Sequence, residues 1–306
     1  MDETNERVED EPLMLTPGPV TLSMRVKRAM LHDYASGEEK MLATIAFCRQ
    51  YLLDLCNGQG SHTVVPIVGS GTSGTEAAIG TFIPENGKLL IHTNGVYGDR
   101  LIEVARKIRT PYASFRTAPY TPPTAQQFED ALKADPAITH VMVVHCETST
   151  GIFNPIEAVA SVCRRLGKGL LIDAVASFGA FELDAKKLAF DAVVCSANKG
   201  LQAPPGLAFI VAKKTALEEA KGLAVDRASG SIFVTGRLGT PPLANPSYLT
   251  LAVAKIPLSG PAAGEPPVVD WLKGSATSCS RRKSAQHKEE AGPSGRERWV
   301  RMLQPH

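Results

Sequence analysis

The feature that most constrains this chain is a series of short, almost uninterrupted apolar runs: KLLIHTN (88–94), THVMVVHCE (139–147), GLLIDAV (169–175), FDAVVCSA (190–197) and GLAFIVAKK (206–214). A strand with one wet face alternates apolar and polar residues. A strand that is apolar throughout must be covered on both faces, as in mostly parallel sheets. Between the runs lie amphipathic segments, GDRLIEVARKI (98–108), TAQQFEDALKAD (124–135) and PIEAVASVCRRLG (155–167), whose apolar spacing predicts helices. Strands joined through helices give right-handed crossovers. The expected fold class is therefore α/β, with a mostly parallel central sheet and helices on both faces.

This pattern holds from Leu13 to about Gly222 and then fails. Residues 1–12, MDETNERVEDEP, are acidic and lack the apolar core of a secretory signal, so they are expected to be a disordered leader. Residues 223–306 are expected to be an atypical, partly disordered tail. Glycine and proline interrupt LAVDRASGSIFVTGRLGTPPLANPSY, and the stretch after Ser259 is rich in proline, glycine, serine and charge. Such composition buries too little apolar surface to offset its ordering entropy. A net charge of +2 is too small to point to nucleic acid or a membrane surface as partner. No run approaches the roughly 18 apolar residues of a membrane span. Cys48, Cys56, Cys146, Cys163, Cys195 and Cys279 form no CxxC pair and have no histidine at metal spacing. Neither a disulfide framework nor a metal site is expected, and a cytoplasmic setting is.

Three elements carry chemistry. In GSGTSGTEAAIG (69–80) a glycine-rich turn runs straight into a helix former. Backbone N–H groups at such a turn, with the helix dipole behind them, cradle a phosphate, and Ser70 and Thr72 add hydroxyl donors. Taken singly, such a stretch is more often only a turn. Asp173 stands at the end of the buried run LLID, where an acid is costly unless something pairs with it. A protonated pyridine nitrogen is one such partner; alone, the residue reads equally well as a helix cap or a metal ligand. Lys199 follows the run VVCSAN and precedes a glycine and a Pro-Pro turn. A lone lysine leaving a strand is usually solvated, but one partly desolvated there has a lowered pKa and attacks aldehydes. The order of the three, each at a carboxyl edge of the sheet where open α/β folds bind ligands, makes the case. A nucleotide-binding reading of the glycine loop fits poorly, because the acid follows about 100 residues later rather than ~20.

Phosphate loop, acid and lysine in this order resemble the pyridoxal-phosphate (PLP) enzymes of fold type I, and the detailed motifs resemble their class V aminotransferases. The stretches that carry the resemblance are LMLTPGPV (13–20), GSGTSGTEA, NGVYGDR (94–100), DPAITHVMVVHCETSTGIFNP (135–155), GKGLLIDAVASFG (167–179) and CSANKGLQAPPGLAFIVAKK (195–214). The resemblance implies a PLP-binding large domain over 13–222 in which Ser70, Gly71 and Thr72 hold the cofactor phosphate. It implies that Tyr97 stacks on the pyridine ring, that Thr148 lies near the phenolic oxygen, and that Asp173 meets the ring nitrogen. Lys199 matches the Schiff-base lysine and is the catalytic residue, Asn198 beside it is counted with the cofactor site, and the turn at Thr16–Pro19 lines the substrate entrance. The activity implied is transfer of the amino group of 2-aminoethylphosphonate to pyruvate, by a homodimer if the chain is intact. The alternatives are a serine- or alanine-using glyoxylate or pyruvate aminotransferase, or an inactive PLP-binding fragment. The pattern departs from the family in one place. A proline-threonine-histidine segment and a C-terminal small domain are expected by resemblance, and GRLGTPPLANP (236–246) is only a faint echo of the first. The small domain is therefore expected to be missing.

Overall fold

A computed structural model describes residues 13–35 and 38–220, together with the course of three further strands, 223–226, 231–234 and 254–257. In chain order the elements are α1 (Met24–Ala29), α2 (Glu39–Leu55), β1 (His62–Val68), α3 (Gly71–Phe82), β2 (Lys88–Thr93), α4 (Val96–Lys107), β3 (Tyr112–Arg116) and α5 (Ala125–Ala134). There follow β4 (Ile138–Val144), β5 (Cys146–Glu147), β6 (Ile152–Phe153), α6 (Ile156–Arg165), β7 (Gly169–Asp173), β8 (Ala192–Ser196), β9 (Leu207–Lys213) and α7 (Lys214–Glu218). The last three, β10 (Leu223–Asp226), β11 (Ser231–Val234) and β12 (Ala254–Pro257), pair as a small antiparallel sheet. The expected leader, 1–12, and most of the expected tail lie outside the described residues.

Seven strands form the central sheet in the order β1-β9-β8-β7-β4-β2-β3. The pairs β8·β7, β7·β4, β4·β2 and β2·β3 are parallel, and β9 alone runs against its neighbours. The mostly parallel sheet is thus as expected. Each apolar run serves two cores by strict alternation, because successive side chains of a strand point to opposite faces. Val141 and Val143 of β4 pack with Leu52, Phe128, Ile156 and Val159, from α2, α5 and α6. Met142 and Val144 pack with Ala78, Ile79, Leu101 and Val104, from α3 and α4. In β8, Val193 and Cys195 divide in the same way from Ala192 and Val194. Continuous apolarity and helices on both faces are one fact seen at two levels.

The helices follow from local signals. Thr124 caps α5 with a capping box to Gln127. Helix α6 buries Ile156, Val159, Ala160, Val162 and Cys163 along one stripe and ends on Arg164 and Arg165, favourably placed at the negative end of its dipole. The strand expected over 139–147 breaks at His145 into β4 and β5. The backbone turns there: His145 N–H donates to Asp173 O at 2.8 Å while Asn154 N–H donates to His145 O at 2.8 Å. Because six strands of the sheet share one direction, the loops after β1, β2, β4, β7 and β8 emerge at the same edge.

Candidate active site

That edge gathers the chemistry. A small pocket is lined by Tyr97 after β2, Cys146 and Thr148 after β4, Asp173 and Val175 at the end of β7, and Lys199 after β8. Four of the residues expected from sequence, Tyr97, Thr148, Asp173 and Lys199, therefore meet although some 100 positions separate the first from the last. Ser70, Gly71 and Thr72 lie at the start of α3, beside this pocket. A side-chain carbon on Gly71 would stand 2.8 Å from Val175, a pocket residue, so only glycine lets the loop approach this closely. Ser70 caps α3 by accepting from Ser73 N–H. The N–H groups of Gly71 and Thr72 have no backbone acceptor among the described residues, as a first helical turn dictates.

Asn198 is placed differently from its neighbours. Its Oδ1 accepts from Ser196 Oγ at 2.7 Å, a bond that shapes the turn carrying Lys199, and it does not line the pocket. Close approach fixes the same turn from below: a side chain on Gly200 would stand 2.5 Å from Phe178 O.

Asp173 is 7% exposed, and burial raises its carboxyl to about 6. Its Oδ1 accepts from Val175 N–H at 3.0 Å, which lowers the value, and nearby Glu147 raises it further. No cation pairs with it among the described residues. Lys199 Nζ donates to Gly18 O at 3.3 Å and has no carboxylate partner there; burial lowers its pKa. Gly18 sits at φ +143°, which side chains rarely adopt, and a side chain on it would collide with Lys199. The turn at Thr16–Pro19 thus touches the lysine itself.

Sequence reasoning missed Glu147 and Gly95. The N-cap of helix α4 is Gly95, which offers no capping side chain. Glu147, wholly buried, supplies the cap from β5, just past the neighbouring strand β4: its Oε2 accepts from Tyr97 N–H at 3.1 Å and Gly98 N–H at 3.0 Å, while Oε1 accepts from Ser149 Oγ at 2.6 Å. Ser149 Oγ accepts in turn from Val96 N–H at 3.0 Å. The signal was present as a carboxylate at the end of an apolar strand, opposite an Asn-Gly that opens a helix with no cap of its own. Among the described residues no group of histidine, cysteine, aspartate and glutamate could hold a metal ion.

The family profile described as Aminotransferase class-V matches residues 31–230. The chain is 47% identical over 214 residues to 2-aminoethylphosphonate–pyruvate transaminase of Pseudomonas aeruginosa (strain UCBPP-PA14), covering 70% of this chain and 58% of that one. It is 42% identical over 213 residues to 2-aminoethylphosphonate–pyruvate transaminase 1 of Cupriavidus pinatubonensis (strain JMP 134 / LMG 1197), covering 70% and 56%. The chain thus spans little more than half the length of these curated relatives. Among solved structures it resembles pyridoxamine-pyruvate aminotransferase from Mesorhizobium loti (TM-score 0.63, 27% identity, 70% of this chain and 54% of that one). It also resembles ureidoglycine-glyoxylate aminotransferase from Bacillus subtilis (TM-score 0.64, 26% identity, 69% and 55%). With its fold, its pocket and the match across residues 31–230, the chain belongs to the class V aminotransferase family.

Proposed function

We propose that this chain binds pyridoxal 5′-phosphate and transfers the amino group of 2-aminoethylphosphonate to pyruvate, giving phosphonoacetaldehyde and L-alanine. The observation that carries the cofactor reading is a pair of unmatched charges in one pocket. Among the described residues Asp173 is a buried acid without a cation, and Lys199 is a partly desolvated amine without an acid. A protonated pyridine nitrogen answers the first and an aldehyde the second, so the residues present fit the group. The bound cofactor would supply an electron sink for the substrate carbon.

The chain's own residues would then act as follows. Ser70, Gly71 and Thr72 at the start of α3 would hold the phosphate with peptide N–H and hydroxyl donors, aided by the helix dipole. Tyr97 would cover one face of the ring, and Thr148 would lie at its oxygen-bearing edge. Asp173, drawn to its ionised form by a cation, would keep the ring nitrogen protonated. Lys199 Nζ, its neutral form favoured by burial, would hold the cofactor through its aldehyde carbon and would carry a proton to and from the substrate carbon.

The substrate reading rests on relatives at 42–47% identity named for 2-aminoethylphosphonate and pyruvate. The structural neighbours named for pyridoxamine or ureidoglycine stand at 26–27%. A donor panel with pyruvate as acceptor, following alanine, tests it; serine or pyridoxamine outpacing 2-aminoethylphosphonate would overturn it. We also place the protein in the cytoplasm as a homodimer. The described cysteines are all free thiols, as in a reducing compartment. No helix among the described residues is long and apolar enough to cross a membrane. Phe47, Tyr51 and Leu55 form an exposed apolar stripe on α2 at helical spacing, the kind of surface that a second copy covers.

A further inference from the structure

We propose that Glu147 is a positioning residue whose buried carboxylate, by capping α4, sets where the Tyr97 ring stands in the pocket. The inference rests on reading that pocket as the PLP site. A carboxylate with no solvent exposure is costly unless its charge is answered. No cation answers Glu147 among the described residues; peptide N–H groups do. Oε2 takes the N–H of Tyr97 and Gly98, while Oε1 takes the N–H and hydroxyl of Ser149, which passes the contact on to Val96 N–H. These are the first donors of α4, which its own N-cap, Gly95, leaves without a side-chain acceptor. The positive end of the helix dipole points at the same carboxylate.

Two further features show that the approach is tight. A side-chain carbon on Gly95 would stand 2.5 Å from Cγ and Cδ of Glu147, so the helix start and the acid meet with no room between them. A side-chain carbon on Gly98 would stand 2.7 Å from the backbone of Thr93, which fixes the first turn against β2. Tyr97 lies between these two glycines, bonded to Glu147 through its own N–H, and lines the pocket. Displacing the carboxylate therefore moves the ring.

A double-mutant cycle separates this role from a general contribution to folding. PLP affinity and the visible circular dichroism of the bound cofactor are measured for wild type, Glu147→Gln, Tyr97→Leu and the double variant. We expect each single variant to bind PLP about tenfold more weakly, the scale of a lost ring stack, with a reduced dichroic band. The double variant should bind no more weakly than Tyr97→Leu. Losses that multiply in the double variant, or a Glu147→Gln protein that binds as wild type does, would overturn the proposal. Should Glu147→Gln fail to fold, Gly95→Ala takes its place in the same cycle. Its backbone is extended at φ −177°, so alanine suits that backbone, and its side chain collides with Glu147 and with Ser149 Oγ, the two groups that cap α4. Hydrogen exchange at the Tyr97 and Gly98 amides, measured without PLP, should quicken in either variant. A wild-type protein that takes up no PLP would refute the pocket reading, and the exchange rates would still decide whether Glu147 holds the helix start.

Discussion

Replacing Asp173 by asparagine should stabilise the cofactor-free protein above about pH 6, although it removes a residue central to the proposed chemistry. Burial raises the Asp173 carboxyl from 3.8 to about 6 in the folded chain, and Glu147 adds to the rise. The sign follows by linkage. Below about pH 4 the carboxyl is protonated in both states and costs nothing. As the pH rises, the unfolded chain ionises first, and folding must hold the proton on or bury a charge. The stability this group contributes is lost progressively until the pH passes about 6. The full loss is about 3 kcal/mol, taking ~1.36 kcal/mol for each pH unit between the two values. Asparagine keeps an oxygen for Val175 N–H and carries no charge. In urea unfolding the variant should therefore lead wild type by up to about 3 kcal/mol at about pH 8, and by roughly half that at about pH 5. Saturating PLP should reverse the order, because a pyridinium cation stabilises the carboxylate and not the amide. A cofactor-free wild type as stable as the variant at high pH would refute the claim that this acid is buried without a cation among the described residues.

Other outcomes follow from the same geometry. Borohydride reduction of the PLP-loaded protein, with peptide mapping, should place the label on Lys199; label on Lys213 or Lys214 instead would remove Lys199 from its proposed role. PLP should protect Cys146 from alkylation, since this half-buried residue lines the pocket, and should leave the half-buried Cys48 on α2 unprotected; equal labelling of Cys146 with and without PLP would count against the site. Gly18→Ala should slow cofactor attachment at least tenfold, measured by stopped-flow absorbance, because the new side chain meets both an unfavourable φ and the Lys199 chain. Attachment at the wild-type rate would show that the Thr16–Pro19 turn does not constrain the lysine.

The layered sheet was legible in the sequence because its cause is local. Runs such as LLIDAV and AVVCSA are apolar at every position, and strand periodicity sends alternate residues to two separate cores. Strands β1 and β3 and helix α2 were not legible. HTVVPIV contains a proline and is exposed at its last residues, and TIAFCRQYLLDL leaves Phe47 and Tyr51 uncovered, so neither presents the clean pattern of a buried element. Asp173 and Lys199 could be picked out because charge at the end of a buried strand is locally anomalous, whatever surrounds it. Their meeting with Tyr97 and Thr148 could not be read from spacing, since it depends on the strand order β8-β7-β4-β2, which brings separated loops to one edge. Glu147 shows the division most plainly. The sequence by itself determined that an acid follows a buried strand and that an amphipathic helix lies over 98–108, a few residues after Asn94-Gly95. Only the tertiary structure decided that each supplies what the other lacks, because the donors of a helix start and the acceptor that satisfies them need not be neighbours along the chain.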